Sequence, residues 1–185
     1  MKPVLIVPGK SSGKKSASPV GLEASDLAFM DQALELAAAA ELAGEVPIGA
    51  LVVNAQGEVM GRGYNRTRLD ADPTAHAEMV ALREAGWRMA NPRLNGCTLY
   101  ATIEPCAMCA GALIQARIAR LVYGASDPKS GALHSAPSLA AHPALNHEFT
   151  VIAGVRAQAC GARLSEFFRR CRARQASPPE PAATD

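Results

Sequence analysis

The sequence predicts an α/β domain in which helices pack on one mixed sheet, and three observations carry that expectation. Apolar runs of strand length alternate with helical periodicities between residues 25 and 175, in the order α-β-β-α-β-α-β-(α)-β-α. The first two strands flank Asn54-Ala55-Gln56-Gly57, turn chemistry that makes them an antiparallel hairpin. The remaining strands are separated by helical segments rather than short turns, so hairpin and crossovers share one sheet.

A helix is expected from Ser25, an N-cap candidate ahead of Asp26 and Leu27, to about Ala43. Leu27, Met30, Leu34 and Leu36 supply its apolar stripe, and Gly44 ends it. Ile48 to Val53 reads as a buried strand and Glu58 to Gly63 as its hairpin partner. Asn65 to Pro73 is polar loop, followed by a helix from about Ala75 to Met89 that Asn91-Pro92 breaks. Cys97 to Ile103 reads as a strand, and Pro105 suits the first position of a helix reaching about Ala116. Arg120 to Gly124 is a short strand; Ala125 to about Asn146 is a long loop with one helical turn near Leu139. Phe149 to Ala153 is the last strand, and a final helix spans about Val155 to Arg174, with Leu164, Phe167 and Phe168 as a core stripe. Residues 1–24 read as a flexible basic extension and 176–185 as a disordered tail, leaving 25–175 as the domain.

Composition narrows the class. With 185 residues, 49% hydrophobic and 19% charged, the chain has room for a real core. A net charge of +2 does not announce a nucleic-acid binder, but its distribution is uneven. Lys2, Lys10, Lys14 and Lys15 stand in a segment without acids, and Arg163, Arg169, Arg170, Arg172 and Arg174 face only Glu166. Basic ends suit a polyanionic partner; on charge alone, solvated termini explain them equally well. Five cysteines with a tight C-x-x-C argue against a disulfide framework and for a reducing compartment. Pro8-Gly9-Lys10 stops the apolar run Val4–Val7 too early for a signal peptide, and no stretch approaches the ~20 apolar residues of a membrane span. A cytoplasmic protein is expected. Gly9–Lys15 is not a phosphate loop: three residues separate its glycines, and Lys15 stands where Ser or Thr is required.

The chemistry lies in His76-Ala77-Glu78 and, thirty positions on, Pro105-Cys106-Ala107-Met108-Cys109. One imidazole and two thiolates leave a tetrahedral zinc one ligand short, which separates catalytic from structural sites. Cys106 and Cys109 share a helix face near a helix N-terminus, where the dipole favours thiolate. His76 and Glu78 converge only if they occupy a first helical turn, so two helix N-termini should face each other across the metal. Zinc lowers the pKa of a bound water to about 7, and Glu78 is the carboxylate placed to carry the proton. The alternative is a closed structural site completed by Cys97, Cys160, Cys171, His134, His142 or His147, which leaves Glu78 without a role. Met108 reads as packing, and Cys97, Cys160 and Cys171 as buried or incidental thiols.

The H-x-E…P-C-x-x-C order marks zinc-dependent nucleobase deaminases. Beyond it, residues 26–174 resemble the bacterial tRNA-specific adenosine deaminase family. The match runs through Glu45–Ala50, Asn65-Arg66, Asp72–Glu78, Thr102–Ala112, Arg117-Ile118, Tyr123–Ala125, Asp127, Asn146-His147 and Phe167–Arg169. The resemblance implies a three-layer α/β/α cytidine-deaminase-like fold with a five-stranded mixed sheet, one zinc per subunit, a homodimer, and conversion of adenosine to inosine at the wobble position (34) of a tRNA anticodon stem-loop. It implies His76, Cys106 and Cys109 as ligands, Glu78 as proton shuttle, and Asn65 and Asp127 as substrate-binding residues. Tyr64 departs from a frequent Trp, and the N-terminal extension has no counterpart. Read without the family, Asn65 and Asp127 are equally ordinary turn residues. Two other functions share these residues: deamination of a free nucleobase or nucleoside, and RNA binding by a non-catalytic zinc protein.

Overall fold

The computed structural model describes residues 22–133 and 147–176 and contains a five-stranded sheet in the order β2-β1-β3-β4-β5. β1 (Gly49–Val53) pairs antiparallel with β2 (Val59–Tyr64) and with β3 (Thr98–Ile103). β4 (Arg120–Ala125) and β5 (Thr150–Ala153) continue the sheet in parallel with β3. Because β1 opposes both neighbours, β2, β3 and β4 run the same way and their C-terminal ends lie on one edge. Asn65 follows β2, Glu104-Pro105-Cys106 follows β3, and Asp127 lies just past β4. The topology therefore delivers three separated sequence motifs to the carboxyl edge, where open α/β sheets bind their ligands.

Helices cover both faces, as the period-two alternation of the strands requires. On one side α2 (Ala77–Arg88) and α3 (Ala107–Gln115) bury Ala81, Ala85 and Leu113 against Val52, Leu99 and Leu121. On the other, α1 (Ala24–Leu42) and α4 (Ala157–Ala176) bury Met30, Ala33 and Cys160 against Leu51, Tyr100, Val122 and Ile152. The expected three-layer mixed sheet is the observed one. The helical turn expected near Leu139, residues 1–21 of the basic extension and the tail from 177 lie outside the described residues.

The stripe of α1 is wider than expected: Met30, Leu34 and Leu36 pack on the core as expected, and alanines join them. Met30, Ala33, Ala37 and Ala40 are its buried apolar residues, whereas Leu27 is 39% exposed. Alanines win because the helix lies directly on the sheet: a Cβ added at Gly49 would stand 2.1 Å from the Ala33 carbonyl oxygen. The helix start also moves from Ser25 to an N-cap at Glu23, whose N–H donates to Asp26 Oδ2 at 2.7 Å. Asp26 is fully buried and takes Arg120 on both oxygens (2.8 and 2.5 Å) and the Tyr100 hydroxyl at 2.8 Å, tying α1 to β3 and β4. In the last helix, Leu164 reaches the core while Phe168 is 41% exposed, so the expected stripe of three is not fully inward.

Candidate active site

α2 is seated by small residues before it presents any chemistry. A Cβ at Gly63 would lie 2.1 Å from the Ala77 carbonyl oxygen, so the N-terminal turn of α2 rests on the β2 backbone. Ahead of it, Asp72 Oδ1 accepts both the N–H and the hydroxyl of Thr74 at 2.7 Å, and the His76 N–H donates to the Thr74 carbonyl at 2.8 Å. This turn stops the helix from beginning at Ala75. His76 becomes the N-cap in extended geometry (φ −71°, ψ 154°), and Glu78 falls in the first turn. That resolves the awkward i, i+2 spacing, since only one of the pair is helical.

The cysteines follow the same logic. Cys106, not Pro105, borders α3: it is the N-cap in extended geometry (φ −73°, ψ 174°), and Pro105 stands one residue outside. Cys109 is the third helical residue and is buried. His76 Nδ1 lies 3.6 Å from Cys106 Sγ and 3.6 Å from Cys109 Sγ, and all three donor atoms fall within 4.8 Å of one another. A tetrahedral zinc with ordinary Zn–N and Zn–S bonds sets its imidazole and thiolate donors about 3.6 Å apart. The residues thus fit zinc both in donor chemistry and in spacing.

Electrostatics favour a cation there. The Cys106 thiol is held down to about 3, first by the hydrogen bond from Cys109 and then by His76. The same bond, with burial, pushes Cys109 up, and the Cys106 bond raises His76. Glu78 is 4% exposed, and burial lifts its carboxyl above the usual range. Among the described residues, His76, Cys106 and Cys109 are the group that could hold a metal. Cys97 sits beside Met89, Cys160 is buried on α4, and His147 Nε2 meets the Ile118 carbonyl at 2.6 Å, so none supplies a fourth ligand. His134 and His142 lie outside the described residues.

Asn65 is buried, and its Oδ1 accepts the Ala77 N–H at 2.9 Å, which leaves Nδ2 as the group available to a ligand. Asp127 Oδ1 accepts the N–H groups of Lys129 (3.0 Å) and Ser130 (3.2 Å), the ordinary turn role. Asp127 also borders a cavity of about 540 Å³, lined by Ser126, Lys129 and Ser130 and, from α4, by Leu164, Phe168 and Arg172. Of the helix arginines, Arg169 pairs with Glu166 at 2.7 Å and Arg170 with Glu41, while Arg172 edges the cavity. Two buried acids escaped the sequence reading. Glu45 Oε1 accepts the N–H groups of Arg68 and Leu69 at 2.8 Å, and Glu104 holds the Asp127 loop. Both stand inside the matched stretches, but only the folded chain reveals which amides they bind.

Fold and site together define a zinc deaminase of the cytidine-deaminase type: a three-layer sheet carrying His, Cys and Cys at two facing helix N-termini, with a buried glutamate beside them. Residues 23–125 match the family described as cytidine and deoxycytidylate deaminase zinc-binding region. The chain is 46% identical to the tRNA-specific adenosine deaminase of Haemophilus influenzae, over 80% of this chain and 85% of that one. It superposes on a tRNA:A34 deaminase with a TM-score of 0.72 at 44% identity, covering 74% of this chain and 99% of that chain. A guanine deaminase from Bacillus subtilis is less similar, at TM-score 0.51 and 38% identity over 54% of this chain and 63% of its own. The chain belongs to the cytidine and deoxycytidylate deaminase family, in its tRNA-specific adenosine deaminase branch.

Proposed function

We propose that this protein converts adenosine to inosine by hydrolytic deamination at the wobble position of a tRNA anticodon. The observation that carries the reading is the convergence of His76, Cys106 and Cys109 on one point with Glu78 buried alongside, in a chain 46% identical over most of its length to a tRNA-specific adenosine deaminase. The free-base alternative shares every one of these residues, so the substrate rests on that similarity. The non-catalytic alternative leaves a buried carboxylate beside His76, Cys106 and Cys109 without purpose.

His76, Cys106 and Cys109 would hold one zinc per subunit, which supplies a water of lowered pKa as the nucleophile. Glu78 Oε would take a proton from the attacking water and hand it to N1 of the adenine ring while the water oxygen bonds to C6. It would then carry the remaining hydroxyl proton from the oxygen on C6 to the amino group as the C6–N bond breaks, so adenosine and water give inosine and ammonia. Its burial suits the task, because desolvation raises the carboxyl above its ordinary range and so eases uptake of a proton. Asn65 Nδ2 donates to the nucleoside, and Asp127 meets the ribose of the RNA. An anticodon loop nucleotide is already unpaired, which lowers the cost of drawing it into the site.

A homodimer fits an apolar groove of about 1050 Å³ between α2 and α3, lined by Met79, Leu82, Trp87, Ala112 and Ala116. Trp87 stands 87% exposed there, a large ring that a second copy seated in the groove would cover. Among the described residues no helix is long and apolar enough to cross a membrane; a tRNA substrate fits a cytoplasmic location. The test is an inosine assay on an anticodon stem-loop with A at position 34, run beside free adenosine, cytidine and guanine. Inosine in the stem-loop is the expected result; turnover of a free base or nucleoside alone would refute the reading.

A further inference from the structure

Glu104 is 3% exposed between β3 and α3, and its two carboxylate oxygens accept N–H groups from two points of one loop. Oε2 takes the Asp127 N–H at 3.1 Å and Oε1 takes the Leu133 N–H at 3.1 Å. Gly131 lies flat against this carboxylate: an added Cβ would stand 2.5 Å from Glu104 Cδ and 2.6 Å from Oε2. The loop also closes on itself, through the Gly131 N–H to the Asp127 carbonyl at 2.9 Å. At the same level it pairs with the start of α3, where the Ala132 N–H donates to the Pro105 carbonyl at 3.0 Å and Cys106 bridges to Gly131.

A buried carboxylate is costly unless its oxygens are occupied, and charge-assisted bonds to backbone amides are the strong kind. Here both oxygens serve a single segment, whose other end carries Asp127. We propose that Glu104 is a positioning residue that fixes the Asp127 loop relative to Cys106, holding the RNA-contacting loop and the metal ligands in register. Glu104 itself need not touch substrate. The proposal rests on the RNA-deaminase reading and adds to it the device that aligns substrate grip with reaction centre.

Two variants attack this contact from opposite sides. Glu104→Gln keeps the shape but sets an amide NH₂ against one of the two N–H donors. Gly131→Ala leaves Glu104 intact but drives a methyl into its carboxylate. Steady-state inosine formation on the A34 stem-loop is measured for the wild type, each variant and the pair, with zinc content determined for every sample. Each single variant is expected to raise KM roughly tenfold, the scale of one charge-assisted hydrogen bond, with kcat within about threefold and zinc retained. The pair should be little worse than the stronger single change, because both break one contact. Unchanged KM in zinc-loaded Glu104→Gln, or loss of kcat and zinc at constant KM, overturns the proposal while the wild type still turns over. A wild type that makes no inosine overturns the RNA-deaminase reading, and this proposal with it.

Discussion

Asn65 Oδ1 accepts the backbone N–H of Ala77 at 2.9 Å, and Ala77 is the one residue between His76 and Glu78. A single amide side chain thus satisfies an orphan donor of the α2 N-terminus, and its Nδ2 is the group proposed above to meet the nucleoside. The two functions separate by substitution. Asn65→Asp keeps an acceptor for Ala77 but removes the donor to substrate, so it should fold normally and lose turnover. Asn65→Ala loses both and should also cost about 1–3 kcal/mol from the unsatisfied buried N–H. Thermal melts beside inosine assays distinguish the two; equal melting losses for both variants would contradict the division of labour.

Gly63 lets α2 lie on β2, since a Cβ there would stand 2.1 Å from the Ala77 carbonyl oxygen. Gly63→Ala should cost about 1–3 kcal/mol through overpacking and displace the turn that carries His76 and Glu78. Activity at a temperature where the variant remains folded should fall further than its stability does. Full specific activity in the folded variant would show that the close approach is packing alone.

The Asp26–Arg120 pair sets an acid limit on stability. Burial alone would raise the Asp26 carboxyl, but Arg120, the Glu23 N–H and Tyr100 together hold it below its ordinary value. A depressed folded pKa contributes stability that is fully present above the unfolded value, near 4, and is lost as pH falls through the folded one. Asp26→Asn should therefore cost about 3–5 kcal/mol at pH 7, because Arg120 stays charged and buried after losing its closest carboxylate. The gap between variant and wild type should narrow below about pH 4. Denaturant titrations across that range measure it, and a gap independent of pH would assign the loss to packing.

Trp87 is the exposed apolar anchor of the α2–α3 groove. If that groove joins two copies, Trp87→Glu should shift sedimentation from dimer to monomer without removing zinc. A dimer unchanged by the substitution would place the interface elsewhere.

Much of this was legible in the sequence because residue type and spacing determine it. The clustering of His76 with Cys106 and Cys109, and the hairpin of the mixed sheet, follow from the H-x-E…C-x-x-C pattern and the turn at Asn54–Gly57. What stayed hidden depends on tertiary distance. The apolar face of α1 reads as Met30 with three leucines, yet close packing on Gly49 makes alanines its fully buried positions beside Met30. Ser25 is the better cap by type, but Asp26 is already committed to Arg120 and Tyr100 and caps from inside the helix toward Glu23. The roles of Glu45 and Glu104 could not be read because their partners are backbone amides far along the chain, and any sequence supplies amides.

Glu78 carries the central claim, and the most direct measurement compares Glu78→Gln with the wild type at equal zinc content on the A34 stem-loop. The expected result is inosine formation lowered by about 10²–10⁴-fold, the usual worth of a positioned general acid/base, with zinc and stem-loop binding retained. Wild-type turnover by the zinc-loaded variant would contradict the proton-carrying role of Glu78.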